Sequence, residues 1–308
     1  MILGFAPSPY IFEVGNFRLG YYGVIIACGA LLAYFLAKNL GKYRNIDGDF
    51  VYLITVISLP IGIIGARFLH VALNWDDYTW KTAINPLAGW EGLAIYGGII
   101  FGSASVITIC YFKKVNPLRM LDVALPAVIL AQGIGRWGNF FNQELYGKVV
   151  NFDFFPFSVF IQADGKNHLA LFFIEFVCNV VGCFVLMYIL KKFKNVGIVV
   201  ASYFIWYGTT RAILEPMRME QFHPEGSING FMVISILLII IGLGYYAYEF
   251  LVKPKYIIPK REALKASVFE HNDTSDSTDT SFEKTNITND GDKEIENSKI
   301  IDVIETKE

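Results

Sequence analysis

Seven apolar stretches, each long enough to cross a bilayer, constrain this chain more than any other feature of its sequence. They lie at about residues 19–37, 50–72, 92–112, 118–138, 169–190, 197–215 and 230–252. A transmembrane helix needs about 20 predominantly apolar residues. A soluble domain is rarely this apolar, since 54% of the 308 residues are hydrophobic. The sequence therefore predicts an all-α polytopic membrane protein with about seven transmembrane helices.

Basic residues are distributed unevenly between the connections. Those after the odd-numbered spans carry Lys38, Lys42, Arg44, Lys113, Lys114, Arg119, Lys191, Lys192, Lys194, Lys253, Lys255, Lys260 and Arg261. The opposite connections carry Arg18, Lys81, Lys148, Lys166 and Arg218. Because basic residues favour the cytoplasmic side, we expect the N-terminus outside and the C-terminus in the cytoplasm.

The composition changes towards the C-terminus. From about Ser267 onward, twelve acidic residues stand against four lysines and few apolar side chains. Such a segment buries too little apolar surface to offset its ordering entropy. We divide the chain into an outer segment (1–18), a transmembrane body (19–255) and a cytoplasmic tail (256–308) that is acidic and disordered from about 267. A small extracytoplasmic cap is expected at about 139–168, with a short strand in the alternating Phe155–Ile161 segment.

The cysteines and carboxylates do not form a recognisable metal site. The four cysteines, Cys28, Cys110, Cys178 and Cys183, lie inside predicted spans without metal-ligand spacing. They are interpreted as small apolar fillers. The carboxylates of the spans are interleaved with arginines rather than clustered together. We therefore predict no metal, no cofactor and no nucleic-acid partner.

A polar stripe interrupts the fourth span. Gln132, Arg136, Asn139 and Gln143 recur at helical spacing and share a face of roughly 60°. The run from 132 to 147 also contains Asn142, Glu144 and Gly147. An arginine inside a membrane is costly, so such a stripe indicates a partner, a substrate or water.

The sixth span carries a second polar set, formed by Tyr207, Arg211, Glu215 and Arg218. Arg211 and Glu215 are spaced i, i+4 and can form a local ion pair, which would allow the helix to insert into the membrane. Alternatively, Arg136 and Arg211 form a phosphate clamp, since guanidinium groups match phosphate oxygens bidentately. Near the cytoplasmic end of the fourth span, we expect Asp122 to pair with Arg119.

These two segments resemble the signature motifs of the prolipoprotein diacylglyceryl transferases, a family of bacterial membrane enzymes. The resemblance covers about residues 15–255 and excludes the acidic tail. It carries over to Arg136, Asn139, Asn142, Glu144, Gly147, Arg211, Glu215 and Arg218. It also assigns Tyr22 to the active site, although a tyrosine at the start of a span is by itself typical of an interfacial anchor.

The resemblance implies a transferase in the bacterial plasma membrane with its active site toward the outer leaflet. Its substrates would be phosphatidylglycerol and a prolipoprotein signal peptide with a lipobox cysteine. The diacylglyceryl group would pass to the cysteine thiol, and glycerol 1-phosphate would be released. Arg136 and Arg211 would stabilise the leaving phosphate, and Asn139 and Asn142 would donate to substrate oxygens. Glu144 and Glu215 would hold the arginines in place.

The residue that accepts the thiol proton is left open. The family often has a histidine where this chain has Tyr96, and a phenol, with an ordinary pKa of about 10, is a weaker base near pH 7 than imidazole. Tyr96 then positions substrate, or serves as base if nearby arginines favour its ionised form. The alternative base is His168, which we place at the start of the fifth span with Glu175 two turns further along the same face.

A transporter or flippase for an anionic lipid headgroup is the rival interpretation. Transporters are commonly built from internal repeats with a site at the bilayer midplane. Here seven spans cannot be divided into two equal repeats, and the two arginine segments differ in sequence. Both segments also lie toward the outer leaflet. These features favour an enzyme.

Overall fold

The computed structural model describes residues 9–14, 17–79, 92–218 and 230–253 of the chain, and these residues are mainly helical. Seven α-helices lie in these ranges: α1 (Tyr21–Leu40), α2 (Gly48–Leu73), α3 (Ile95–Phe112), α4 (Pro117–Asn142), α5 (Leu171–Lys192), α6 (Ile198–Leu214) and α7 (Gly230–Ala247). Two antiparallel hairpins pair β1 (Tyr10–Val14) with β2 (Phe17–Gly20), and β3 (Ser158–Ile161) with β4 (Lys166–Leu169). The tail predicted at 256–308 lies outside the described residues.

Six of these seven helices are long and apolar enough to cross a membrane. The exception is α6, which has 17 residues. It ends at Leu214 and continues as a 3₁₀ turn over Glu215–Met217, because Pro216 disfavours a longer α-helix. The chain is therefore a polytopic, predominantly helical membrane protein. The seventh span and the orientation remain predictions.

The helices pack in neighbouring pairs, and small residues allow close approach. Helix α1 packs against α4, α2 against α3, α4 against α5, and α6 against α7. Between α2 and α3, a Cβ placed on Gly97 would lie 2.3 Å from the carbonyl oxygen of Gly65. Only a residue without a side chain permits this backbone contact, as is common between membrane helices. The hydroxyls of Ser58 and Ser105 join the same two helices across 3.0 Å.

Asp122, in the second turn of α4, joins three segments, and its predicted pairing with Arg119 is wrong. Its carboxylate is fully buried and lies 3.0 Å from Nε of Arg44, in the turn after α1. It also accepts the backbone amides of Gly197 and Val199, at 2.9 and 3.1 Å, where α6 begins. The first amides of a helix have no partner within the helix, so an acid from α4 satisfies them.

Arg44 completes this junction from its other side. Its Nη1 donates to the carbonyl oxygen of Leu190 at 3.1 Å, in the last turn of α5. Carbonyls at a helix C-terminus also lack partners within the helix and attract cations. The buried pair therefore ties together the ends of α1, α4, α5 and α6.

The connection between α4 and α5 forms a small cap, which contains the predicted strand as β3. In the β3–β4 hairpin, Val159 lies opposite His168. A buried cluster lies beneath the hairpin and comprises Tyr146, Val159, Ile161, Ala170 and Phe172. The prediction that His168 opens the fifth span is wrong, because His168 belongs to β4 and α5 begins only at Leu171. The apolar run that continues into α5 concealed this boundary in the sequence.

Candidate active site

Glu175 on α5 is the centre of a buried ion-pair cluster. Its side chain contacts three arginines, and the shortest separations are 2.5 Å from Nε of Arg136, 2.7 Å from Nη2 of Arg218 and 3.6 Å from Nη1 of Arg211. Arg136 comes from α4, Arg211 from α6, and Arg218 from the segment that follows α6. The arginine motifs predicted from sequence are thus brought together by Glu175, an acid that the sequence pattern links only to His168.

Glu215 is the second acid of this cluster. Its Oε2 lies 3.0 Å from Nη2 of Arg211 and 3.5 Å from Nε of Arg218. The predicted contact between Arg211 and Glu215 is therefore present. We call the five residues Arg136, Glu175, Arg211, Glu215 and Arg218 the arginine cluster. Its three guanidiniums outnumber its two carboxylates, which leaves one positive charge in excess in a poorly hydrated setting.

The three arginines differ in their access to ligands. The side chain of Arg136 is 23% exposed and that of Arg211 is 12% exposed, whereas that of Arg218 is 4% exposed. A small cleft beside the cluster is lined by Arg136, Glu175, Asn179, Tyr207, Thr210, Arg211 and Leu214. Arg136 and Arg211 thus face a common cleft, whereas Arg218 does not line it and contacts Glu175 and Glu215. A guanidinium pair of this kind is suited to a phosphate group.

Glu144 forms a second polar group just beyond α4, and it holds asparagines rather than arginines. Its Oε1 accepts a hydrogen bond from Nδ2 of Asn139 at 2.9 Å and lies 3.5 Å from Nδ2 of Asn142. Glu144 was expected to hold an arginine, but Glu175 has that position next to Arg136. Asn139 is buried, whereas Asn142 and Glu144 are exposed.

Tyr22, at the start of α1, lies against this part of α4. A Cβ on Gly138 would lie 2.3 Å from Cδ2 of Tyr22, so the glycine makes room for the ring. The phenol is 39% exposed and within electrostatic reach of Arg136 and Glu144. The structure therefore places Tyr22 beside the polar groups of α4. Its place in the active site remains a prediction.

The two ends of the predicted stripe on α4 have structural contacts. Gln132 donates from Nε2 to the hydroxyl of Tyr203 on α6 at 2.9 Å. Gln143 has a positive φ of 50° and ends the helix, and its Oε1 accepts the amide of Gln162 in the cap at 3.0 Å. The helical stripe therefore ends at Asn139, and Gln143 fastens the cap to α4.

Tyr96 lies in the first turn of α3 and is 42% exposed. Its ring stacks on Phe231 of α7 with a centroid separation of 6.4 Å. Cζ of Arg211 lies 5.0 Å from the centroid of the same Phe231 ring. Tyr96 is thus at the edge of the arginine cluster, with Phe231 as a shared neighbour. Its role in the reaction remains a prediction.

His168 is fully buried inside the cap, and both of its ring nitrogens are hydrogen-bonded. Nδ1 lies 2.8 Å from the carbonyl oxygen of Gly147, and Nε2 lies 2.7 Å from Oδ2 of Asp164. Burial acts to raise the pKa of the Asp164 carboxyl, but the hydrogen bonds with His168 and the Lys166 amide outweigh it and lower the pKa. His168 therefore stabilises the cap, which argues against it as the proton acceptor.

Gly147 connects the cap to the arginine cluster through its backbone. It forms a β-bridge with Arg218, and its amide donates to the carbonyl oxygen of Leu169 at 2.9 Å. A Cβ at this position would lie 2.8 Å from Cβ of Leu169 and 3.0 Å from the carbonyl oxygen of Met217. Gly147 is buried, and its lack of a side chain permits this close approach. A role of Gly147 in substrate binding remains a prediction.

Glu175 and Asn179 line the cleft from α5, although neither belongs to the two arginine motifs. Both are buried and lie one turn apart on α5. Their signal in the sequence was the presence of an acid and an amide inside an apolar span, which is costly without partners. Among the described residues, no three His, Cys, Asp or Glu side chains lie close enough together to hold a metal ion.

The fold and the site together define a multi-pass membrane protein with a buried, positively charged cleft. Residues 9–248 match the family model of prolipoprotein diacylglyceryl transferase. The phosphatidylglycerol–prolipoprotein diacylglyceryl transferase of Streptococcus uberis is 38% identical over 244 residues, covering 77% of this chain and 93% of the relative. The enzyme of the same name from Streptococcus equi subsp. zooepidemicus is 37% identical over 242 residues, with the same coverage of both chains. This chain belongs to the prolipoprotein diacylglyceryl transferase family, which confirms the resemblance drawn from its motifs.

Proposed function

We propose that this chain transfers the diacylglyceryl group of phosphatidylglycerol to the lipobox cysteine of a prolipoprotein signal peptide and releases glycerol 1-phosphate. Family membership supports the transferase activity and its two substrates. The structural observation that carries the proposal is the cleft in which Arg136 and Arg211 face each other across Glu175.

The charge balance of the reaction suits this cleft. The cysteine thiol loses its proton, and its sulfur forms a bond to a glycerol carbon while the bond from that carbon to a phosphate oxygen breaks. The phosphodiester carries one negative charge, and the departing phosphomonoester gains a second. Arg136 and Arg211, fixed before the reaction by Glu175 and Glu215, would stabilise this developing charge without reorganisation.

The polar group beyond α4 would orient the substrates. Asn142 is exposed beside Glu144, and Tyr22 lies within electrostatic reach of both Glu144 and Arg136. Amide and phenol donors at this position can bind glycerol or phosphate oxygens of the lipid. For Tyr96 we propose a positioning role at the edge of the cluster, where it stacks on Phe231.

We also propose that α6 crosses the membrane as a seventh span, with the N-terminus outside and the C-terminus in the cytoplasm. The helix has 17 residues and its polar outer end continues as a 3₁₀ turn. In this orientation the arginine cluster and the cap lie toward the outer leaflet of the bacterial plasma membrane. The distribution of basic residues supports this arrangement.

The test uses purified protein with phosphatidylglycerol and a lipobox peptide, and follows glycerol phosphate release. We expect peptide-dependent release from the wild type and its loss in Arg136→Ala and Arg211→Ala. Arg119→Ala, on α4 near the end that carries Asp122, is the matched control and should retain activity. Tyr96→Phe should keep most of the activity if the phenol only positions substrate. If the folded wild type released no glycerol phosphate but moved phosphatidylglycerol across vesicles, the transport interpretation would replace ours.

A further inference from the structure

The cap carries a dense group of exposed aromatic side chains. Phe152, Phe154, Phe155 and Phe157 are 45%, 62%, 50% and 45% exposed. They lie within six consecutive residues, which we call the aromatic loop (152–157). Phe154 and Phe157 stack on each other with a centroid separation of 5.9 Å. A contiguous exposed apolar patch of this kind marks an interaction surface.

The aromatic loop lies level with the ends of two membrane helices. The amide of Ala170, the residue before α5, donates to the carbonyl oxygen of Phe157 at 2.9 Å. Phe155 contacts Phe140 in the last turn of α4, with ring centroids 6.1 Å apart. Both helices are long and apolar enough to span a membrane. The loop therefore lies beside the ends of two helices that can span a membrane.

The turn of the cap hairpin has the opposite character. Its residues Gln162–Lys166 are polar or small, and all five are exposed. The carboxylate of Asp164 is directed inward to His168, and the rest of the turn offers no apolar surface. The cap is thus amphipathic, with aromatic side chains on one loop and polar groups on the other. This division is typical of structures that rest on a membrane surface.

We propose that the aromatic loop inserts into the interfacial region of the leaflet next to the cap and anchors the cap on lipid. Aromatic side chains are enriched at this depth of a bilayer. Asp153, which is exposed within the loop, keeps the insertion shallow because its carboxylate stays in water. The cap in turn joins Arg218 through the Gly147 bridge, so lipid contact would fix the cap that supports the arginine cluster. This inference rests on the membrane embedding of the chain and is independent of the transferase reaction.

The test compares nitroxide labels on the two sides of the cap. Phe154→Cys and Ala163→Cys are introduced separately into protein that also carries Cys28→Ser and Cys178→Ser. The remaining Cys110 and Cys183 are 0% and 3% exposed and do not compete for the label. Labelled protein is reconstituted into phosphatidylcholine–phosphatidylglycerol vesicles, and collisions with oxygen and with a water-soluble nickel chelate are measured. Phe152→Cys provides a second loop position in case the label at 154 disturbs folding.

We expect the ratio of oxygen to nickel accessibility to be several-fold higher at 154 and 152 than at 163. Equal nickel accessibility at loop and turn would place the loop in water and overturn the proposal. Protection of the loop label from both oxygen and nickel would show that protein covers it, which would also overturn the proposal. Because these readouts do not need turnover, they distinguish a failure of this inference from a failure of the proposed activity.

Discussion

Arg218 and Glu175 are 43 residues apart in the chain, yet Nη2 of Arg218 donates to Oε1 of Glu175 across 2.7 Å in a buried ion pair. Glu175 also contacts Arg136 and Arg211, so one carboxylate organises three guanidiniums. Because the arginines repel one another, the geometry of the cleft depends on this acid. The arrangement of the proposed phosphate clamp therefore depends on α5 as much as on the two arginine motifs.

Replacing Glu175 by glutamine should impair both stability and turnover. Removing one partner of a buried ion pair costs about 3–5 kcal/mol, and here three guanidiniums would share the single carboxylate of Glu215. We expect a lower melting temperature and a large loss of kcat in glycerol phosphate release. Glu249→Gln is the control, since Glu249 is a buried acid near the C-terminal end of α7, bonded to Asn195 at 2.7 Å. That variant should lose stability but keep kcat; unchanged kcat in Glu175→Gln would contradict the organising role.

Replacing Arg211 by lysine tests whether the cleft needs a guanidinium or only a positive charge. Arg211 contacts Glu215 at 3.0 Å and Glu175 at 3.6 Å through different nitrogens, which an ammonium group cannot reproduce. We expect kcat/KM to fall about 100-fold, the scale of losing one preorganised donor to a developing oxyanion. Arg119→Lys serves as the comparison. A decrease no larger than that of the comparison would mean that charge alone suffices.

Replacing Asp122 by asparagine should destabilise the helix junction without changing the chemistry. Arg44 would lose its buried counter-charge, at a cost of about 3–5 kcal/mol. We expect a lower melting temperature in Asp122→Asn and Arg44→Ala, with normal activity per folded molecule. Arg119→Ala should melt like the wild type. If Arg119→Ala were the destabilised variant, the pairing seen in the structure would be wrong.

The pair of Asp164 and His168 predicts a pH dependence of the cap. The pKa of Asp164 is lowered in the folded protein, so its stabilisation is complete above the unfolded value of about 3.9 and is lost as the pH falls through the folded value. Asp164→Asn should therefore melt below the wild type at pH 7, and the difference should shrink below pH 4. The shape of the activity profile between about pH 6 and 9 should be the same in both proteins. A profile shifted in the variant would return His168 to the reaction.

Deleting residues 267–308 should leave both activity and melting temperature unchanged. This prediction rests on composition, because twelve acids and four lysines in this segment leave little apolar surface to bury. The control is the full-length chain purified in parallel and compared for glycerol phosphate release and thermal unfolding. Loss of turnover in a truncated protein that expresses normally would assign the tail a function.

The sequence predicted those parts of the site that depend on neighbours along the chain. The contact between Arg211 and Glu215 follows from a spacing of one helical turn, and it is present at 3.0 Å. The same reasoning failed for Asp122, because Arg119 was one turn away but Arg44, 78 residues away, holds the carboxylate. It also failed for His168, where an apolar run looked like the start of a helix but formed a strand first.

The sequence by itself determined that this chain is a polytopic membrane protein of a particular transferase family. The length of an apolar stretch matches the thickness of the bilayer, and the motif residues follow one another along two segments of the chain. Only the tertiary structure decided that Glu175 joins the three arginines, that Glu144 holds Asn139, and that His168 is enclosed in the cap. Periodicity describes the face of one helix, whereas these partners are set by how separate helices and a hairpin pack together, which local spacing does not encode.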